Sequence, residues 1–322
     1  MALYPLRMGP LYKRYLWGGR RFESVLGRPL EPGDDYAESW EVADHPAGTS
    51  LVAEGPMAGL ELGELVRRHG ADLLGKHHPQ ARFPLLLKYL DARQRLSVQV
   101  HPDDELAAAM GYSDPGKTEA WVVLDAEPNS RLWAGFRHPM TPEALQRAVE
   151  SGDWQPCLHE VEPRPGDCFF LPAGTVHALG EGLLVAEIQV TSDLTFRLHD
   201  WNRVGTDGKP RALHIAQGLR AARLDWGPVR PRPPTPVAEG VERLAECGRF
   251  VLQRRTVAGG QRLETDDRCH ILTGVAGQAI VRCDGQDRPL GLGETLLLPA
   301  SLGSVELLQT GDPAVLLEAF AP

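Results

Sequence analysis

Side chains that hold divalent ions (amide, imidazole and carboxylate) recur on short β-forming runs of this chain. The run Leu96-Ser97-Val98-Gln99-Val100-His101 alternates, with Leu96, Val98 and Val100 on one face and Ser97, Gln99 and His101 on the other. A strand with a polar inward face suits a lined pocket better than a sealed core. A second strand is expected over 118–124, with Lys117 and Glu119 on one face and Thr118 on the other. His177 follows the turn Pro172-Ala173-Gly174, which aims it back toward whatever the apolar run Cys168-Phe169-Phe170-Leu171 lines. Two imidazoles, a carboxylate and an amide oxygen, from His101, His177, Glu119 and Gln99, suit Zn²⁺ or a similar divalent ion, with positions left for water or substrate. Of eleven histidines, only these two occupy such places; a lone histidine elsewhere reads as a core or surface residue. The buried run 84–90 carries one lysine, Lys88. At a barrel mouth it can meet an anion.

The elements that must position these groups are mostly strands. A strand over 38–42 is expected, with Trp17 and Trp40 packed in the core. Leu62, Leu65 and Val66 predict a helix over 60–69, with Gly70 as its cap. Asp103 or Asp104 caps a short helix over 105–110, stopped by Gly111. Thr141, Pro142 and Glu143 open a helix that runs to Gly152. A turn at Asp207-Gly208 and a helix near 213–222 follow. Pro228, Pro231, Pro233, Pro234 and Pro236 make a semi-rigid connector, and the boundary between two units is placed there. Residues 238–322 read as a small all-β unit. Within it, the segment from Gly293 to Pro299 repeats the spacing from Gly166 to Pro172, but Ser304 stands where His177 would be. The second unit therefore lacks that ligand.

The chain has 322 residues, enough for two domains and a substantial core. A net charge of −9 argues against nucleic acid and against an anionic membrane surface. Five cysteines without a C-x-x-C pair predict reduced thiols and a cytoplasmic protein. No apolar run of ~18 residues reads as a membrane span.

The spacing Gly-x5-Pro-x-Gly-x2-His at Gly166, Pro172, Gly174 and His177 resembles the second motif of the cupins, small β-barrels that commonly hold a metal. The ordered runs LSVQVHPDDELA, GKTEAWVVLDAEP, FFLPAGTVHALGEGLLVAEIQVTSDLTFRLHDWNR and GKPRALHI, with WGG and FPLLLKYLDA before them, resemble the class I mannose-6-phosphate isomerases in their short bacterial form. The resemblance implies a mainly β bicupin with some helices. Its units would be a catalytic cupin over 1–227, the linker 228–237, and a degenerate cupin-like domain without metal over 238–322. It also implies one zinc on Gln99, His101, Glu119 and His177, and a catalytic Arg197. The reaction would interconvert two sugar phosphates through an enediolate, which needs a Lewis acid, a base and cations for the phosphate. Glu187 matches a position that is acidic in the family, as base or as a support for a ligand histidine. Lys117, pointing into the same pocket, and Lys88 are the substrate-binding candidates. Asp193 and Ser192 read as turn formers. A cupin oxygenase is disfavoured by the amide ligand and the cations, and a non-catalytic sugar-binding module by the complete ligand set. No glycine-rich loop supports a nucleotide-dependent activity.

Overall fold

The structure, a computed structural model, describes residues 2–205 and 208–322. The chain is mainly β, as the alternating runs predict. Two facing sheets build the first part. One has six strands in the order Cys168–Leu171, Glu119–Ala126, Leu183–Val190, Leu85–Ala92, Tyr36–Val42 and Leu11–Gly19. The other has five, ordered Leu158–Val161, Leu132–Phe136, His177–Leu179, Val98–Val100 and Phe196–His199. The second part pairs an eight-stranded with a four-stranded sheet. Among the described residues the pairings leave each sheet open rather than closed in a ring.

Four sheet layers result. Trp121, Val123, Phe169 and Val185 of the six-stranded sheet pack on Leu132, Ala134 and Leu179 of the five-stranded one. The opposite face of the six-stranded sheet, with Leu85, Leu87, Val122 and Ile188, packs on Leu252, Ile271, Leu297 and Leu317 of the eight-stranded sheet. A sheet covered on both faces explains why Leu85–Ala92 and Leu183–Val190 are buried throughout. Along Leu183–Val190 the inner face changes character. Leu183 and Val185 join the apolar core, whereas Glu187 and Gln189, two and four residues on, are polar yet buried. One end of the gap between the sheets is therefore core and the other is a pocket.

The helices differ from expectation in one place. The helical run is Leu62–Leu74, but it kinks at His69 (φ −130°, ψ 24°), where the helix was expected to end, and continues beyond Gly70 to its C-cap, Gly75. Leu73 and Leu74 extend the buried face and carry the helix past Gly70. Asp103 and Thr141 cap Asp104–Ala109 and Pro142–Ser151 as expected, and Gly152 closes the latter in the left-handed conformation. Ile215–Ala221 is the next helix. Gly208 is described but its expected turn partner Asp207 lies outside the described residues.

The proline-rich segment is tied to the first part, since Val229 N–H donates to Ala134 O at 3.0 Å and Arg232 N–H to Cys168 O at 2.8 Å. Leu6–Gly9 joins the second part: Leu6 pairs with Leu297 and Arg7 with Leu296. The strand Thr295–Leu298 is followed by a short 3-10 turn, Ala300–Leu302, and Ser304 then opens the next strand, as His177 does in the first part. The five cysteines are unbridged.

Candidate metal centre

Local sequence explains how the ligand candidates converge. Cys168–Leu171 pairs with Glu119–Ala126, placing Leu171 opposite Glu119. The turn then returns the chain into the facing sheet. There His177 pairs with Gln99, and Gln99 with Arg197. Gly174 holds the turn with φ of 95°, and its N–H donates to the His101 carbonyl at 2.8 Å. A side chain at Gly174 would also meet Arg223 Cγ at 2.5 Å.

Glu119 Oε1 lies 3.3 Å from His177 Nε2 and its Oε2 3.4 Å from His101 Nε2. The ligand atoms of these three buried residues all lie within 4.8 Å of one another. Each imidazole gives its Nδ1–H to a backbone carbonyl at 2.9 Å, His101 to Leu194 and His177 to Thr175. That fixes the tautomer and leaves both Nε2 lone pairs facing the carboxylate. His101 Nε2 and both Glu119 oxygens are buried without a hydrogen bond, a donor set that fits a cation. Gln99 stands beside it, with its amide nitrogen 3.2 Å from His177 Nε2 and its oxygen accepting from Ser97 Oγ at 3.3 Å. To ligate, the amide must turn its oxygen inward.

Electrostatics set the protonation states that ligation needs. Burial, then Lys117, pushes the His101 pKa down to about 4, and burial likewise lowers that of His177. Burial opposes ionisation of Glu119, but Lys117, His101 and His177 together hold its carboxyl well below the usual range.

Lys117 Nζ lies 3.1 Å from Glu119 Oε2 and 3.4 Å from Glu187 Oε1. Lys88 Nζ lies 3.4 Å from Glu187 and 3.4 Å from Glu38. Both lysines are buried rather than snorkelling. Burial pulls their pKa values down, but the flanking carboxylates more than reverse this, so both stay charged. Glu187 shifts the other way, upward, first from burial and then from repulsion by Glu119. Its Oε2 accepts from Trp121 Nε1–H at 3.0 Å. Arg197 shares a strand pair with Gln99, and its Nη1 donates to Ala212 O at 2.9 Å. Burial and Arg211 lower its pKa.

Residues 5–120 match the model of the phosphomannose isomerase type I catalytic domain. The chain is 34% identical to mannose-6-phosphate isomerase ManA of Bacillus subtilis, over 95% of this chain and 96% of that one. It belongs to the type I phosphomannose isomerase family. A mannose-6-phosphate isomerase of Streptococcus mutans is 32% identical over 93% of this chain and 94% of that one. The crystal structure of the mannose 6-phosphate isomerase from Bacillus subtilis superimposes with a TM-score of 0.90 at 29% identity, covering 98% of this chain and 99% of that one.

Two features of this phosphomannose isomerase site were not singled out from sequence. A cavity of about 340 Å³ is lined by Tyr15, Trp17, Asp200, Arg203 and Arg211. Both arginines pair with Asp200, Arg211 Nε at 2.8 Å. The Tyr15 pKa is raised, first by burial and then by Glu38 and Asp193, against the opposing charges of Lys88 and Arg211. The runs HDWNR and GKPR held that signal, as closely spaced arginines beside an aspartate. The other feature is the indole of Trp121.

Proposed function

We propose that this chain interconverts mannose 6-phosphate and fructose 6-phosphate, with one zinc ion held by His101, Glu119, His177 and a turned Gln99. What carries this reading is the pair of Nε2 atoms and the carboxylate gathered within 4.8 Å in a buried site, in a chain of this family. When bound, the ion supplies Lewis-acid polarisation of the sugar oxygens at C1 and C2. Glu187 carries the proton between C2 and C1. Neither ligand histidine gives its Nδ1–H to a carboxylate, which favours this role over support of a ligand. Its raised pKa makes it a stronger base than an exposed glutamate. Lys117 and Lys88 bind substrate and hold Glu187 ionised at rest. Arg197, with an unpartnered Nε, faces the developing oxyanion, and the arginines of the adjoining cavity leave room for the phosphate.

In this reading each pair of facing sheets is one cupin unit, with residues 1–227 catalytic, 228–237 connecting and 238–322 without metal. Unbridged thiols fit a cytoplasmic location. Among the described residues no helix is long and apolar enough to cross a membrane.

A coupled assay of fructose 6-phosphate formation tests the reaction. Purified protein turns over mannose 6-phosphate, chelation abolishes turnover, and zinc restores it. Turnover that survives complete metal removal would sink the metal assignment, and oxygen uptake by an iron-loaded sample would favour an oxygenase.

A further inference from the structure

Trp121 sits where two sheets meet. It lies on Glu119–Ala126, two residues after Glu119, and its backbone pairs with Glu187. Glu187 in turn pairs with Lys88, and Lys88 with Trp40, so Trp40, Lys88, Glu187 and Trp121 form one row across four strands. Residues paired in this way share one face. Trp121 is 1% exposed. Its Nε1–H donates to Glu187 Oε2 at 3.0 Å. Its ring stands edge-on to the His177 ring, with centroids 5.2 Å apart and planes at 87°. His177 belongs to the facing five-stranded sheet. One rigid side chain therefore touches the carboxylate on one sheet and a ligand imidazole on the other.

We propose that Trp121 is a positioning residue that fixes the Glu187 carboxylate relative to the His177 imidazole. The inference rests on the reading of Glu187 as the proton carrier. Glu187 lies between two ammonium groups, each 3.4 Å from Oε1, and makes no hydrogen bond through that oxygen. Left to the lysines alone, the carboxylate has two nearly equal rotations to choose from. An indole N–H removes the choice, because it can only donate and has a fixed direction. It also stabilises the ionised carboxylate without adding a charge beside the bound cation. Oε1, which the lysines hold by charge without a hydrogen bond, is thereby the oxygen that moves a proton. The indole has only two side-chain torsions, so holding it in place costs little entropy.

Trp121→Phe keeps the ring and removes the donor. Its kcat is expected to fall roughly ten- to hundredfold, the scale of a hydrogen bond to a charged group, with KM and bound metal unchanged. A kcat equal to wild type, while Glu187→Ala is inactive, overturns the positioning role. Full activity in Glu187→Ala overturns the assignment of Glu187 itself. The indole N–H resonances give a readout independent of folding in the Phe variant and of turnover. Seven tryptophans are present, and in Glu187→Gln one indole signal is expected to move upfield as the charged acceptor is lost. An indole spectrum identical to wild type overturns the proposal.

Discussion

At the residue scale the site is a chain of alternating charges. Glu38, Lys88, Glu187, Lys117 and Glu119 follow one another at separations between 3.1 and 3.4 Å. Arg197 stands apart from it, on the facing sheet beside Gln99. Among the described residues it pairs with no carboxylate; a backbone carbonyl is the acceptor for its Nη1. A guanidinium spared a carboxylate partner keeps its donors for a developing oxyanion. Arg197→Ala is therefore expected to lower kcat by roughly two to three orders of magnitude, the range for losing one oxyanion donor, with the metal still bound. Steady-state kinetics with metal analysis on the same sample decides this; wild-type turnover would remove Arg197 from the mechanism.

At the scale of elements, the Trp17-Gly18-Gly19 run shows why a strand can need glycine. A Cβ on Gly18 would lie 2.5 Å from the Ala37 nitrogen and the Tyr36 carbonyl carbon, both backbone atoms of the neighbouring strand. At Gly19 it would meet the Asp91 carboxylate at 2.8 Å, and that carboxylate accepts from Arg21 N–H at 2.7 Å. The close approach seats Trp17 at the cavity wall. Gly18→Ala is expected to destabilise the fold by about 1–3 kcal/mol, as overpacking does, because the backbone it would meet cannot give way as a side chain can. Thermal unfolding measures it, and an unchanged midpoint would contradict the close packing. What was legible in sequence follows a similar logic. The alternation around Gln99 and His101 and the turn before His177 are local patterns, and they point to two histidines that the structure brings together with Glu119. The partners of Lys88 and Lys117 depend on which strands lie side by side and in what register. Local pattern does not encode that. Trp121 was hidden for a further reason: a buried tryptophan in an apolar strand looks the same whether or not its N–H has a task. The expected end at His69 and Gly70 is where Leu62–Leu74 kinks, and the turn beyond it follows Leu73 and Leu74 into a core that local pattern does not show.

At the scale of the whole molecule, the two parts share a core and a buried polar contact. Arg28 donates to both oxygens of Glu41, at 2.9 and 2.8 Å, and also to Gly293 O. Tyr89 and Thr273 join hydroxyls across the same seam. The face of the six-stranded sheet opposite Glu119 is thus packed against the second part, which supports the pocket from behind. A fragment of residues 238–322 would lack the strand Leu6–Gly9 and expose the edge of Thr295–Leu298 together with Leu252, Ile271 and Leu317. Expressed alone, it is expected to associate or aggregate. A sharp monomeric peak in size-exclusion chromatography would show that the seam is dispensable.

The pairing of Leu6 with Leu297 has a consequence in time as well as in space. A ribosome releases the chain from its N-terminus, so Leu6–Gly9 emerges well before its partner, Thr295–Leu298. Until Thr295–Leu298 is made, that early strand has only Leu51–Val52 to pair with, and these two strands stay apart from the other six of the eight-stranded sheet. The layer behind the candidate metal centre is completed only after Thr295–Leu298 has been made.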